Sequence, residues 1–396
     1  MKNLLICLIT AAVLFLPSCS TKEQDGFDPS SELDQAAGQL MKSLEWLGDT
    51  ILYPRNMEDG SVHMVPSSDW TSGFFPGMLW MIYEHNGDQS FKEAAHRFTM
   101  NLEQEKFNGG THDLGFMLYC SFGNGLRLTG NSEYRDILIQ GAETLITRFN
   151  PMIGAIKSWK TKPGVWQYPV IIDNMMNLEL LFWASKETGD PKFYNIAVTH
   201  AETTIKSHFR PDNSSYHVIS FDTITGEIEK KNTHQGYDHE SAWSRGQAWG
   251  LYGFTMTYRE TGDEKFLDQA KSIAEFILRH PNLPEDKVPY WDYDAPGQPD
   301  IPRDASAAAI ASSALYELSG YCEDGLEKQT YLDAADHILA SLASGYKLGG
   351  DHEFPFLLDH STGIKPENKE VDIPIIYADY YFLEAVLRNK GLYSNK

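Results

Sequence analysis

Asp173 sits in unusually apolar company for a carboxylate, inside Pro169 to Ala184, PVIIDNMMNLELLFWA. Val170, Ile171 and Ile172 precede it, and Met175, Met176, Leu178, Leu180 and Leu181 follow. An Asp ahead of a long apolar helix serves commonly as an N-cap, accepting a hydrogen bond from a free backbone N–H. The chemical alternative is a carboxyl whose charged form is disfavoured by its surroundings, so that its pKa rises and it can deliver a proton near neutral pH. A second carboxylate in a comparable position, Asp113 in THDLGF, would complete the arrangement in which one acid is protonated and the other charged. The decision rests on whether other useful residues fall at the same place in the architecture.

The chain must therefore be read for the elements that carry these groups. Residues 1–18 read as a lipoprotein leader: Lys2 gives a positive start, Leu4 to Leu16 is a short apolar run, and Leu16-Pro17-Ser18-Cys19 resembles a lipobox. On that reading Cys19 is lipidated, residues 19–30 form a flexible tether, and the protein is exported, to the periplasm or to an outer-membrane anchor. Residues 31–396 show no internal linker or low-complexity run and read as one catalytic domain. With 33 basic against 55 acidic residues the formal charge is −22, which argues against nucleic acid as a partner. Cys120 and Cys322 fall in helical segments and make neither a disulfide framework nor a metal site.

Apolar residues recur at helical spacing with a repeated punctuation: YEHNGDQSF from Tyr83, LRLTGNSEY from Leu126, SKETGDPKF from Ser185 and YRETGDEKF from Tyr258. Each reads as a helix stopped at Gly, then an Asp or Asn cap, then a second helix. The spacing predicts twelve helices, over 31–50, 73–86, 89–105, 113–129, 132–148, 174–188, 191–208, 241–261, 264–280, 304–320, 328–344 and 375–390. They pair into six αα-hairpins, the number that closes an all-α (α/α)6 barrel. Strand signal is confined to Ser215–Lys230. Connections within hairpins are short and those between hairpins long, so the long loops and the first helix starts of each pair gather at one mouth.

A carboxylate recurs at each of those starts: Asp69, Asp113, Asp173, Glu240, Asp304 and Asp372. Capping accounts for most of them. It does not account for Trp70, His112, Trp243, Arg245 and Trp249 at the same rim, or for Trp159, Trp166, His217 and Gln235 in the loops above it. Aromatic faces beside carboxylates and amides suit a sugar, and converging helix N-termini favour an anionic one.

Taken together, SDWTSGFFPGMLW at Ser68, THDLGFMLYCSFGNG at Thr111, IKSW at Ile156, THQGYDHESAWSRGQAWGLYGF at Thr233, PYWDYDAP at Pro289 and RDASAAAIASSALYELS at Arg303 are specific. With VDIPIIYADYYFLEAVLR at Val371 they make nearly the whole mature chain resemble glycoside hydrolase family 88, the unsaturated glucuronyl hydrolases. The resemblance implies an (α/α)6 barrel acting on lyase-generated oligosaccharides with a C4=C5 unsaturated uronic acid at the non-reducing end. It implies that Asp173 is the acid/base carboxylate and Asp113 its partner. It further implies that Trp70, Trp159, His217, Gln235, Arg245 and Trp249 recognise substrate, and that no metal or nucleotide cofactor is needed. In members preferring sulfated fragments, a Ser- and Lys-bearing segment before the last helix contacts sulfate; here that segment is IKPENKEVD, which keeps Lys365 and Lys369 without the serines. Lys369 is the candidate anion contact there.

Three other readings compete. Family 105 shares the barrel and acts on unsaturated rhamnogalacturonan, but Ser244-Arg245-Gly246-Gln247-Ala248-Trp249 fits family 88. A non-catalytic glycan-binding lipoprotein would have no use for both Asp113 and Asp173. A helical sugar epimerase would need a set of general-base histidines that the chain does not supply.

Overall fold

The computed structural model describes residues 27–393, so the leader, Cys19 and most of the tether lie outside the described residues. The helices in order are α1 (Pro29–Leu47), α2 (Phe74–Asn86), α3 (Gln89–Met100), α4 (Asn124–Thr129), α5 (Ser132–Ile146) and α6 (Leu178–Thr188). They continue as α7 (Pro191–His208), α8 (Ser244–Thr261), α9 (Glu264–Arg279), α10 (Ala305–Ser319), α11 (Gly325–Gly345) and α12 (Ile376–Tyr393). Two inner helices begin irregularly. Gly115–Gly123 winds as π-helix before running into α4, and Ile172–Asn177 forms a 3₁₀ segment before α6.

An inner ring is formed by α2, the π/α4 rod, α6, α8, α10 and α12, each packed on the next, and α12 returns to α2 to close it. These helices are buried nearly all round, as a ring enclosed by other helices requires: α10, ASAAAIASSALYELS, exposes almost nothing. The outer helices are amphipathic; α9, for example, buries Phe266, Leu267, Ala270, Ile273, Ala274 and Ile277 along one stripe.

The repeated punctuation does what its chemistry requires. Gly87, Gly130, Gly189 and Gly262 end inner helices in the left-handed conformation, and the side chains of Asp88, Asn131, Asp190 and Asp263 cap the outer helices that follow.

The expectation of a single strand region is corrected. Tyr53–Glu58 (β1) pairs with Ser61–Val65 (β2), and Phe149–Asn150 (β3) with Ala155–Ile156 (β4). Tyr168–Ile171 (β5) joins Val218–Phe221 (β6) and Ile228–Asn232 (β7) in a three-stranded sheet, and Ser361–Ile364 (β8) pairs with Lys369–Ile373 (β9). These short ribbons lie in the segments that link the hairpins. They give the loops above the barrel backbone partners, so side chains can be held there at fixed positions. Cys322 falls just past the end of α10 rather than within a helix, and both described cysteines are free thiols.

Candidate active site at the start of the inner helices

At the end of the barrel where inner helices begin, a cavity of about 220 Å³ is bounded by Asp113 and Asp173, by the rings of Trp70, Phe116, Trp159 and Tyr377, and by Arg55, Gln235 and Arg245. Larger hollows lie between α1 and α11 and at the far end of the barrel. Neither contains both Asp113 and Asp173, so the chemistry rather than the volume selects this cavity.

The two carboxylates are held by a close approach of the irregular helix starts. A Cβ on Gly115 would come within 2.5 Å of the Asn177 Cα, so only glycine allows the π turns to lie against the 3₁₀ segment. The Phe116 N–H then donates to Asn177 Oδ1 at 3.0 Å, locking HDLGF to IIDNMMN. Asp173 is the second residue of the 3₁₀ segment, whose N-cap position belongs to Ile171, so it is not serving as a cap. Its Oδ2 is buried with no hydrogen-bond partner. Burial pushes its pKa from 3.8 up to about 7; Arg245 opposes the shift and the charge of Asp113 adds to it. Asp113 accepts from the Thr111 hydroxyl at 2.7 Å and faces Nε2 of the buried His112 at 3.2 Å.

Arg245, the second residue of α8, is buried. It donates to Asp304 at 2.6 Å and to the carbonyls of Thr362 at 2.6 Å and Gly363 at 2.8 Å, so β8 is fastened to the inner ring. Its guanidinium lies over the rings of Trp243 at 4.7 Å and Tyr377 at 5.3 Å. Trp70 packs against Tyr377 and Phe116, with ring centres 5.1 and 5.5 Å apart. Trp159 packs against Trp166 at 5.3 Å and His234 at 5.4 Å. Gln235 donates to the Gly363 carbonyl at 3.2 Å.

Three of the expected site residues are placed differently from a ligand contact. Trp249 lies one turn deeper than Arg245, is wholly buried, and reaches the cavity only through Phe116, whose ring centre is 5.2 Å away. His217 is buried behind Asp173; its Nδ1 accepts the backbone N–H groups of His234 and Gln235, both at 3.2 Å, and its Nε2 points at Asp173 Oδ2. Lys369 is exposed on β9, pairs with Glu367 at 2.5 Å, and borders a neighbouring hollow rather than this cavity. Of the other rim carboxylates, Asp69 and Asp304 cap backbone N–H groups. Glu240 and Asp372 are turned outward, onto Arg210 and His360.

Sequence reasoning missed Arg55, Glu370, Tyr377 and His234, all of which border the cavity. Arg55 holds Glu370 through Nε at 2.7 Å and Asp69 through Nη1 at 2.8 Å. Both Arg55 and Glu370 stand on unforeseen strands, β1 and β9, 315 positions apart, and no local pattern connects them. Tyr377 was within reach, because it opens the apolar helix that follows Val371-Asp372.

The family profile Glycosyl Hydrolase Family 88 matches residues 52–279. The chain belongs to glycoside hydrolase family 88. It is 53% identical over 344 residues to an unsaturated glucuronyl hydrolase of Formosa agariphila, covering 86% of this chain and 85% of that one. It is 34% identical to an unsaturated chondroitin disaccharide hydrolase of Streptococcus pneumoniae, over 93% and 92% of the two chains. A solved unsaturated glucuronyl hydrolase specific for heparin superposes with a TM-score of 0.88 at 48% identity, over 92% of this chain and 98% of that one. The chain is thus a glycoside hydrolase with the (α/α)6 barrel of family 88, as its motifs and helix count indicate.

Proposed function

We propose that this cavity releases a C4=C5 unsaturated uronic acid from the non-reducing end of lyase-generated, glycosaminoglycan-derived oligosaccharides, by hydrating the double bond. The observation that carries the reading is Asp173: a largely buried carboxyl with its pKa raised to about 7, sharing a sugar-sized cavity with Asp113. Asp173 gives its proton to C4, leaving an oxocarbenium shared by C5 and the ring oxygen. Water adds at C5 and its proton returns to Asp173. The hemiketal opens by breaking C5–O5, and the hemiacetal thereby formed at C1 expels the neighbouring sugar as an alcohol. One water is consumed and no sugar–enzyme bond is made. Asp113 helps keep Asp173 protonated and offers its carboxylate to ring hydroxyls. Arg245 and Gln235 face the uronate, and Trp70 and Trp159 offer faces for stacking.

The test is loss of the ultraviolet absorbance of the double bond on unsaturated disaccharides from chondroitin, hyaluronan and heparin, beside the same disaccharides with a saturated uronic acid. The saturated forms should be inert, and heavy-oxygen water should label C5 and not C1. Cleavage of saturated substrate at a comparable rate would replace this mechanism with substitution at C1.

The lipobox supports export with a lipid at Cys19. Asp34 near the start of α1 pairs with His85 in the last turn of α2, so α1 begins at the end of the barrel away from the cavity. Incorporation of labelled palmitate that Cys19→Ala abolishes is the corresponding measurement.

A further inference from the structure

Behind the loop that carries Asp113 lies an open hollow of about 400 Å³, walled by Arg148, Lys157 and Tyr168. Most arginines of this acidic chain hold carboxylates, as Arg55, Arg127, Arg259, Arg303 and Arg388 do. Arg148 donates instead to three backbone carbonyls: Nη1 to Gly109 at 2.6 Å, Nε to Lys157 at 2.8 Å and Nη2 to Ser158 at 2.9 Å. Lys157 donates to the Thr161 hydroxyl at 2.6 Å. Neither cation takes part in an ion pair among the described residues. Burial holds both below their usual ranges, and Arg148 lowers Lys157 further.

Arg148 stands just past the C-terminal end of α5, where the helix dipole favours a cation. That accounts for one charge. It does not account for Lys157, which follows β4 and brings a second charge to the same hollow against the repulsion of the first. A guanidinium fork has five N–H donors and an ammonium three, so after the bonds above each cation retains donors for a ligand. The side chain of Arg148 is fixed by its three carbonyls, which lowers the entropy cost of binding at its free donors.

We propose that this hollow binds an oxyanion, a sulfate or carboxylate group, between the Arg148 guanidinium and the Lys157 ammonium. It is separate from the catalytic cavity and shares no lining residue with it. The group comes either from a free inorganic anion or from an acidic glycan. The glycan source rests on the activity proposed above, whereas binding of the inorganic ion does not. Arg148 clasps the carbonyls of Gly109 and Ser158, so an occupant would brace the loops leading to Asp113 and Trp159.

The experiment is calorimetric titration of the full chain with sodium sulfate, against sodium chloride at matched ionic strength, in wild type, Lys157→Gln and Lys157→Arg. Saturable sulfate binding is expected in the wild type, at least about tenfold weaker in Lys157→Gln and retained in Lys157→Arg. Turnover of an unsulfated disaccharide should be unchanged in both variants. Absence of saturable heat at tens of millimolar sulfate, or equal affinity in wild type and Lys157→Gln, would overturn the proposal. A second titration uses a saturated chondroitin sulfate tetrasaccharide, which is not turned over. Competition with sulfate in the wild type and not in Lys157→Gln assigns the site to glycan, and sulfate binding without competition assigns it to the free ion.

Discussion

His217 directs its Nε2 at Asp173 Oδ2 from 3.9 Å, and neither atom has another partner. Two backbone N–H groups occupy Nδ1, so the proton of the neutral imidazole is on Nε2. Burial first, then His234 and Arg245, keep the ring neutral, with a pKa well below the usual value. At 3.9 Å no hydrogen bond is made, but an Nε2–H facing Oδ2 favours negative charge on that oxygen and so the acidic proton on Oδ1. His217→Ala should therefore lower kcat at least about tenfold while KM changes less, since proton delivery rather than binding is disturbed. Steady-state kinetics on an unsaturated disaccharide decide it. A raised KM with unchanged kcat would make His217 a ligand contact.

The pH dependence follows from Asp173. Its folded pKa lies above its unfolded value of 3.8, so its protonated form is favoured by folding, and that stabilising contribution is lost as pH rises through about 7. Activity should fall across the same range as the acid ionises. Asp173→Asn should lose at least about 10²-fold in turnover. It should also gain stability relative to wild type as pH rises from 4 to 7. Asp113→Asn removes a charge that raises the pKa of Asp173, so the alkaline limb of its residual activity should move to lower pH. Denaturant melts and pH–rate profiles of the two variants measure both effects.

Much of this was legible in the sequence because the signals are local. Gly87-Asp88 and Gly262-Asp263 are a helix stop and a cap within two residues, and their recurrence counts the hairpins. Asp173 announces itself through its apolar neighbours. Other features are set by contacts between distant segments. The π winding at Gly115–Gly123 has no local signature, since it depends on Asn177 taking the Phe116 N–H from the next inner element. The burial of Trp249 depends on Phe116 covering it, which alternation along α8 does not reveal. β1 is YPRNME, with a proline and no clean alternation, so its strand character comes from pairing with β2.

Gly115 gives a direct test of how the carboxylates are placed. In Gly115→Ala the new Cβ meets Asn177 backbone at 2.5 Å, which no side-chain rotation relieves. The π turns and the 3₁₀ segment must separate. A stability loss of about 1–3 kcal/mol is expected, with a larger fractional loss of kcat than of affinity because Asp113 and Asp173 move apart. A variant with wild-type melting temperature and turnover would show that the contact does not set the site.

Arg55 and Glu370 provide the last test, because their pairing joins two ribbons remote in sequence across the wall of the cavity. Burial opposes the charge on Glu370, and Arg55 offsets this by hydrogen bonding and charge, holding the carboxyl below its usual value. Arg55→Met strands that carboxylate beside Asp69 and should cost about 2–3 kcal/mol in a partly exposed pair. Adding Glu370→Gln removes the stranded charge and should recover most of that loss. The informative quantity is KM in the double variant. Arg55 borders the cavity, so a KM that stays raised after stability has returned would place its guanidinium on the anionic sugar. Recovery of KM together with stability would make Arg55 a brace that holds β9 against β1 and touches no substrate.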